Sequence, residues 1–362
     1  MSCSSARLDR ILSHGNKGRA MRISIIIVTF NNASDIVPCL KSVFAQITPD
    51  DEVLVVDNTS CDGTAELVEQ HYPSVRLLRN ANTGYAGGNN FGATHAYGET
   101  LVFLNPDTFV YAGAIDALAA ALDRPGVGMS TACLVLMHDQ QRINTTGNTV
   151  HYTGLTYCRG ANQSRLTFVA EKTTDSVSGA AFAIRRDLFC EHRGFDEHFF
   201  MYVEDTDLSW RIRLAGLECV YVSEAVVAHR YQFGYTPSKA FYLDRNRHWM
   251  LLKNLSAASY RRLIPGLCIA EIVTWGFLLL KGPHFWGVKF RVYRWLWCEW
   301  RSVRAKYRVV RELQQIPDWT LLRGSTHRLD FGQITHRTLA WLAGSTFHPA
   351  FRVAQLLVRG EQ

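Results

Sequence analysis

The chain has 362 residues, 47% of them hydrophobic and 20% charged, with a formal net charge of +7. That length exceeds one typical domain of roughly 100–200 residues, so two units are expected, and the apolar content excludes an extended disordered chain. The charge is uneven: residues 241–362 hold 19 Lys and Arg against 7 Asp and Glu, leaving 20 against 25 in residues 1–240. This asymmetry points the C-terminal part at an anionic surface, either membrane or nucleic acid. The nine cysteines are scattered, with no C-x-x-C pair, which reads as reduced thiols in a cytosolic compartment. Residues 1–20 are polar and basic and lack the apolar core of a secretory signal. Since Met21 directly precedes the first strand, they read as a disordered leader or an over-called start.

In chain order, residues 24–30 (SIIIVTF) form a near-continuous β-branched run, as expected of a strand buried on both faces. A helix is predicted over 35–45, a strand over 52–56, a helix over 64–70 and a strand over 75–78. A helix near 89–97, a strand over 101–104, a helix near 112–122 and a strand over 127–131 follow. This alternation predicts a mostly parallel α/β sheet whose ligands bind beyond the carboxyl ends of its strands.

Three motifs stand at such ends. Asp57 closes an apolar strand and opens a turn, where its carboxylate can accept a hydrogen bond from a pyrimidine imide or a ribose hydroxyl; Asp also starts many inert turns. The segment from Asn82 to Gly92 (NTGYAGGNNFG) places four glycines ahead of a predicted helix. Such glycines allow close backbone approach to a ligand, and a helix N-terminus offers free N–H groups to phosphate. Its spacing fits neither a dinucleotide-binding fingerprint nor a P-loop. Asn105-Pro-Asp107 follows the strand over 101–104, and Asp107 can hold a divalent cation against a diphosphate; Mg²⁺ and Mn²⁺ both suit such oxygen ligands. His229, after a strand over 219–222, offers a further ligand or a merely structural ring.

Further along, Glu204, Asp205 and Asp207 open a helix whose inward face carries Leu208, Ile212 and Ala215 and which Gly216 ends. Acids there are favoured in their ionised form by the exposed N–H groups, so one of them can serve as a general base or simply cap the helix. Beyond residue 236 the chain turns basic and aromatic. Residues 267–280 are strongly apolar but short of the roughly 20 residues a spanning helix needs, which predicts a buried or interfacial segment between Pro265 and Pro283. Residues 289–311 are predicted as one helix, with Tyr293, Leu296, Trp297, Trp300, Val303, Tyr307 and Val310 along one stripe. Arg291, Arg294, Arg301, Arg304, Arg308 and Arg311 run beside it, a pattern that suits a membrane interface or a face packed on the main domain.

Taken together, VTFNN (28–32), VVDNTSCDGT (55–64), NTGYAGGNNFGA (82–93), FLNPDT (103–108), SGAAFAIRRDLF (178–189), GFDEHFFMYVEDTDLSWRIRLAG (194–216) and AHR (228–230) resemble the inverting glycosyltransferase family 2. The resemblance covers residues 21–235. It implies an α/β chain of GT-A fold, a nucleotide-diphospho-sugar transferase with a mostly parallel central sheet flanked by helices. Residues 236–362 would form a basic, helical, membrane-associating extension. Residue by residue, it implies that Thr29 and Asp57 contact the donor nucleotide and that Asn89 and Asn90 line its ribose and phosphates. Asp107 would coordinate the metal with His229, and Asn105 stands where many relatives carry the first Asp of an Asp-x-Asp motif. Gly179 falls in the acceptor-side motif with Glu204 and Asp207 nearby, and Asp205 matches the catalytic base. Arg291-Val-Tyr-Arg-Trp295 departs from the Q-x-x-R-W of processive synthases, which favours single addition. The stretch from Phe241 to Trp249 is similar to the R-N segment of bacterial rhamnosyltransferase-like members.

The expected reaction is therefore metal-dependent, inverting transfer of one sugar, rhamnose from dTDP-rhamnose before UDP-sugars, onto a cell-surface glycan or lipid-linked acceptor. The expected partners are the nucleoside-diphosphate sugar, that saccharide acceptor and, peripherally, the cytoplasmic face of the plasma membrane, with no nucleic acid. A nucleotidyltransferase and a catalytically silent membrane adaptor are the alternatives from other classes.

Overall fold

The computed structural model describes residues 22–170, 172–231, 234–333 and 335–359; the leader expected over 1–20 lies outside the described residues. The first half alternates as its sequence predicts: β1 (Ile23–Thr29), α1 (Ile36–Phe44), β2 (Glu52–Asp57), α2 (Thr64–His71), β3 (Arg76–Arg79), α3 (Gly84–His95), β4 (Thr100–Leu104), β5 (Thr108–Val110), α4 (Ala114–Ala121) and β6 (Val127–Leu136). There follow β7 (Asp139–Thr145), β8 (Asn148–Val150), β9 (Thr156–Cys158), β10 (Lys172–Thr173), β11 (Ala181–Arg185), α5 (Arg186–Glu191), α6 (Glu204–Leu214) and β12 (Glu218–His229).

The main sheet runs β10-β12-β6-β11-β4-β1-β2-β3, with β5 added on β12 and β7 on β6. The pairs β1/β2, β1/β4, β2/β3 and β6/β12 are parallel. Between β4 and β6 lies β11, antiparallel to both, so the sheet is mixed where a parallel crossover would otherwise stand. α1 and α4 cover one face, over Ile25, Ile27, Val55 and Leu134, while α3, α5 and α6 cover the other, over Ile26, Leu54, Phe103 and Phe182. The resulting fold is GT-A-like.

The glycine-rich segment is not a loop ahead of a helix but the helix α3 itself. A Cβ on Gly88 would stand 2.8 Å from Val28 Cγ1, and one on Gly92 would stand 2.7 Å from Ile26 Cγ2. These two glycines, four residues apart on one helix face, let α3 sit down on β1 and β2; their smallness serves packing.

The C-terminal part consists of α7 (Pro237–Asn254), α8 (Ala257–Lys281), α9 (Pro283–Trp286), α10 (Val288–Cys298), α11 (Trp300–Leu313), α12 (Trp319–Gly324) and α13 (Arg337–Arg359). Its core includes Trp249, Leu251, Leu263, Leu267 and Phe351, and it continues into Val150, Tyr152, Phe199, Val203 and Trp210 of the preceding part. Two expectations change here. The apolar segment does not start at Pro265: α8 is 25 residues long and carries that proline internally, long and apolar enough by length and composition to cross a membrane. The tyrosine of β8–β9 explains why the helix continues, since Gly266 packs directly against the Tyr152 ring, and Leu263 and Leu267 are buried on either side. The aromatic–arginine helix is broken into α10 and α11 at Glu299, with Val303 and Val310 turned into the core.

Glu271, the one acid of α8, faces α7 and α10. Lys289 Nζ lies 2.7 Å from its Oε2 and 2.8 Å from Asp244 Oδ2, while Arg247 bridges the same two acids. Burial alone would raise the Glu271 pKa, but the His248 hydrogen bond and the charges of Arg247 and Lys289 outweigh it and hold the carboxyl ionised. Asp244, His248 and Glu271 have the side-chain types and spacing of a metal site, yet the fully buried Arg247 and Lys289 already neutralise it.

Candidate active site

Thr29 and Asp57 end adjacent parallel strands and are directly paired in register. Thr29 Oγ1 donates to Asp57 Oδ1 at 3.1 Å, and the Ser60 N–H donates to Asp57 Oδ2 at 3.1 Å. Both side chains are buried, so any ligand meets an Asp57 already oriented by its neighbours. Asn89 lies under this edge, its Nδ2 donating to Tyr85 O at 2.9 Å and its buried Oδ1 left without a partner among the described residues. Asn90 is placed differently from the expectation. Its Nδ2 donates to Phe195 O and its Oδ1 accepts from Phe195 N–H, both at 2.9 Å, and its Nδ2 also reaches Glu197. Its amide is spent on holding the loop before α6. The first turn of α3 is likewise engaged, because the Ala86 N–H donates to Phe200 O at 3.1 Å.

Asp107 and His229 meet across the antiparallel pair β5/β12, where Thr108 stands opposite His229. His229 Nε2 lies 3.3 Å from Asp107 Oδ1, and His229 Nδ1 lies 2.9 Å from Asn144 Oδ1. An Asn carbonyl oxygen only accepts, so Nδ1 carries the hydrogen and Nε2 is the ring nitrogen on the Asp107 side. A carboxylate oxygen and an imidazole nitrogen at that separation fit two neighbouring ligands of one small divalent ion. Asn105, at the end of β4, is held by its backbone to Ala180 and Thr108 and supplies no charge. A cavity of about 430 Å³ opens beside Asp107 and is also lined by Asp35, Tyr111, Gln140 and Arg230. Arg230 Nε pairs with Asp35 Oδ1 at 3.1 Å, leaving the guanidinium half exposed at the cavity edge.

Asp205 is the second residue of α6 and stays partly open to solvent. Its Oδ2 accepts from Gly179 N–H at 2.9 Å and Asn148 Nδ2 at 3.2 Å; its Oδ1 accepts from Thr206 N–H at 2.6 Å. Gly179 O in turn accepts from the Tyr85 hydroxyl at 2.5 Å, which ties this edge to α3. Burial raises the Asp205 pKa against the pull of those hydrogen bonds. Glu204 beside it is buried, its Oε2 has no partner among the described residues, and burial followed by the Asp205 charge pushes its pKa well up. Burial thus favours the protonated form at both carboxyls, more strongly at Glu204, where the Asp205 charge adds to it.

Asp207 does not face this edge. It is fully buried, with Oδ2 3.0 Å from Arg211 Nε and 2.8 Å from Lys253 Nζ, and Oδ1 accepting from Asn254 Nδ2. Lys253 also pairs with Asp196, which accepts from Trp249 Nε1 and pairs with Lys306. The expected acceptor-side role for Asp207 is thus corrected: its oxygens are consumed in a network fastening α6 to α7, where an unpaired charge would be costly.

The turn leading into α6 is the most strained backbone near the site. Phe200, Tyr202 and Val203 all have positive φ, at 62°, 68° and 72°. Bulky and β-branched residues there cost on the order of 1–3 kcal/mol each, and such strain gathers where geometry is set for function. Its carbonyls are held by Arg245 and Asn246 of α7, the R-N pair that the sequence noted without a role.

Residues 24–192 match glycosyl transferase family 2. The N-acetylglucosaminyl-diphospho-decaprenol L-rhamnosyltransferase of Mycobacterium tuberculosis (strain CDC 1551 / Oshkosh) is 29% identical over 232 residues, covering 57% of this chain and 75% of that protein. Rhamnosyltransferase WbbL of Escherichia coli (strain K12) is 22% identical over 262 residues, covering 67% and 94%. Among solved structures, GalNAc-T7 with UDP, GalNAc and Mn²⁺ aligns with a TM-score of 0.55 at 17% identity over 68% of this chain. The chain spans about half the length of that protein (51%), and the likeness is one of fold.

Proposed function

The chain carries a glycosyltransferase family 2 domain and is a glycosyltransferase, and from that premise we propose that it adds a single rhamnose, taken from dTDP-rhamnose, to a hydroxyl of a lipid-linked saccharide with inversion at the anomeric carbon. The observation that carries the reading is the Asp205 carboxylate: oriented by donors on both oxygens, partly open, and beside Glu204, whose burial favours its protonated form. Two relatives named as rhamnosyltransferases, one for a decaprenol-linked substrate, support the sugar and the acceptor class.

In this mechanism Asp205 takes the proton of the acceptor hydroxyl as its oxygen attacks the anomeric carbon opposite the leaving nucleoside diphosphate. Gly179 and Asn148 hold the carboxylate in line for that transfer. Thr29 and Asp57 read the donor base or ribose, with the unpartnered Asn89 oxygen as a further acceptor. Asp107 and His229 would hold a divalent ion, which when bound supplies charge neutralisation to the leaving phosphates. Asn105 leaves this set one carboxylate short, and Arg230 brings a permanent positive charge to the same cavity edge.

The acceptor reading also gives a use to the outer faces of the C-terminal helices. Ile272 and Leu280 of α8, Trp297 of α10, and Trp341, Val353 and Leu356 of α13 are exposed. With the basic excess of residues 241–362, they suit peripheral contact with the cytoplasmic face of a membrane. The test is Asp205→Asn, expected to keep nucleotide-sugar binding while turnover falls at least ~10²-fold. A thermal-shift panel of dTDP- and UDP-sugars with Mg²⁺ or Mn²⁺ identifies the donor, since saturation at 100 times Kd stabilises by about 2.7 kcal/mol. Near-normal turnover in Asp205→Asn, or release of pyrophosphate instead of nucleoside diphosphate, overturns the mechanism.

A further inference from the structure

We infer that Arg245 and Asn246 are positioning residues for the Asp205 carboxylate, acting through the strained turn at residues 198–203; this rests on the reading of Asp205 as the base. The Asn246 side chain is fully buried, and its Nδ2 faces three carbonyls, those of Phe199 at 3.0 Å, Met201 at 2.9 Å and Tyr202 at 2.7 Å. Its Oδ1 accepts from Arg245 Nε at 2.8 Å, which settles the amide orientation: reversed, it would set oxygen against three oxygens. Arg245 Nη2 donates to His198 O at 2.5 Å and Phe199 O at 2.8 Å. Two consecutive side chains of α7 therefore collect the carbonyls of four residues in the turn.

The grip is two-sided. Phe200 O accepts from the Ala86 N–H of α3, while the Phe200 ring stacks on Tyr242 of α7 at 5.3 Å. Three positive φ values then deliver the chain into α6, with Val203 as the residue before its first turn and Asp205 two positions on. A β-branched residue leaves that conformation unless its surroundings enforce it. Freed from Asn246, the turn relaxes toward ordinary φ, rotates the start of α6, and carries the Asp205 oxygens away from Gly179 and Asn148. Arg245 and Asn246 touch no reacting atom in this scheme; they fix where the base points.

The experiment compares Asn246→Asp, which keeps size but turns the donor into an acceptor facing carbonyls, with Arg245→Lys and Tyr242→Leu as milder loosenings, each in the wild-type and the Asp205→Asn background. With Asp205 present, kcat should fall at least ~10-fold while KM for the nucleotide sugar changes little, as misplacement of a catalytic group predicts. The acid limb of the kcat–pH profile should move toward lower pH as the carboxyl becomes better solvated. With Asn at 205, the same substitutions should cost almost nothing further, because the group they position is gone. Equal fold-losses in both backgrounds, or unchanged kcat in folded variants, overturn the inference. If Asn246→Asp does not fold, the two milder variants decide by the same criteria. Should Asp205→Asn itself retain turnover, it is the base assignment that has failed; should it lose turnover while the α7 variants do not, only the positioning role has.

Discussion

His229 presents Nε2 to Asp107 Oδ1 at 3.3 Å because Asn144 holds the opposite ring nitrogen at 2.9 Å. His229 comes from β12, Asp107 from the turn between β4 and β5, and the residue that orients the ring from β7, so the direction of Nε2 is set by the fold itself.

Removing either ligand should abolish metal-dependent nucleotide binding. Asp107→Ala is expected to be the more severe, and Asn144→Ala should lower metal affinity by ~10–100-fold with both ligands still present. Calorimetric titration of Mn²⁺ in the presence of dTDP measures all three. Activity that survives EDTA would remove the metal from the reaction altogether.

Glu204 should make the protein less stable as pH rises. The unfolded chain releases this proton near a pKa of about 4.3, whereas the folded state retains it to higher pH because burial and the Asp205 charge oppose ionisation. Folding therefore takes up a proton between the two pKa values, and the stability present below the unfolded value is lost as pH climbs through the folded one. Glu204→Gln should flatten that slope, giving a higher melting temperature than wild type at alkaline pH and little difference at pH 4. Parallel stability–pH curves would show that Glu204 is already solvated.

Gly92→Ala and Gly88→Ala should each destabilise by about 1–3 kcal/mol through overpacking against Ile26 and Val28, read from urea midpoints. A large loss of nucleotide affinity with unchanged stability would instead make these glycines ligand-approach positions.

Anionic vesicles should sediment with the protein, and neutral vesicles or duplex DNA should compete poorly. Trp341→Ser with Leu356→Ser, both on the exposed face of α13, should weaken the attachment without altering turnover on a water-soluble acceptor. Added salt should weaken it further, as the Debye length falls to about 3 Å at 1 M. Indifference to lipid charge would assign those faces to another protein.

Residues at strand ends are legible in one dimension because the β–α alternation itself places them: Thr29 and Asp57 close their strands and Asp107 follows β4, whereas β12 runs on to His229, seven residues past the strand read over 219–222. What orients them is not legible, since Asn144 and Asn148 lie in β7–β8, where the buried run 144–147 is polar and has no apolar alternation to mark it. The antiparallel β11 is hidden in sequence because AFAIR reads equally well as the start of the helix that follows it. Asp207 looked identical to Asp205 in sequence, two acids in one helical turn. The difference is the face each presents, and it is decided by Lys253 and Asn254, which lie 46 and 47 residues further on. The glycines of α3 suggest loop freedom in sequence, whereas their four-residue spacing on a helix also signals close packing. Pro265 reads as a boundary in sequence, but burial of its neighbours outweighs one lost backbone hydrogen bond.

The Tyr152 hydroxyl donates to Phe351 O across 199 positions of chain, and the His151 and Phe351 rings stand 4.5 Å apart. On a ribosome adding residues one at a time, the strand that ends in Asp57 and the turn that carries Asp107 emerge long before the helices against which the 150–152 segment must close. Contacts of such separation are entropically late. The nascent protein thus passes through a stage in which its first strands can pair while Asn246, and with it the grip on the turn before α6, is still unmade.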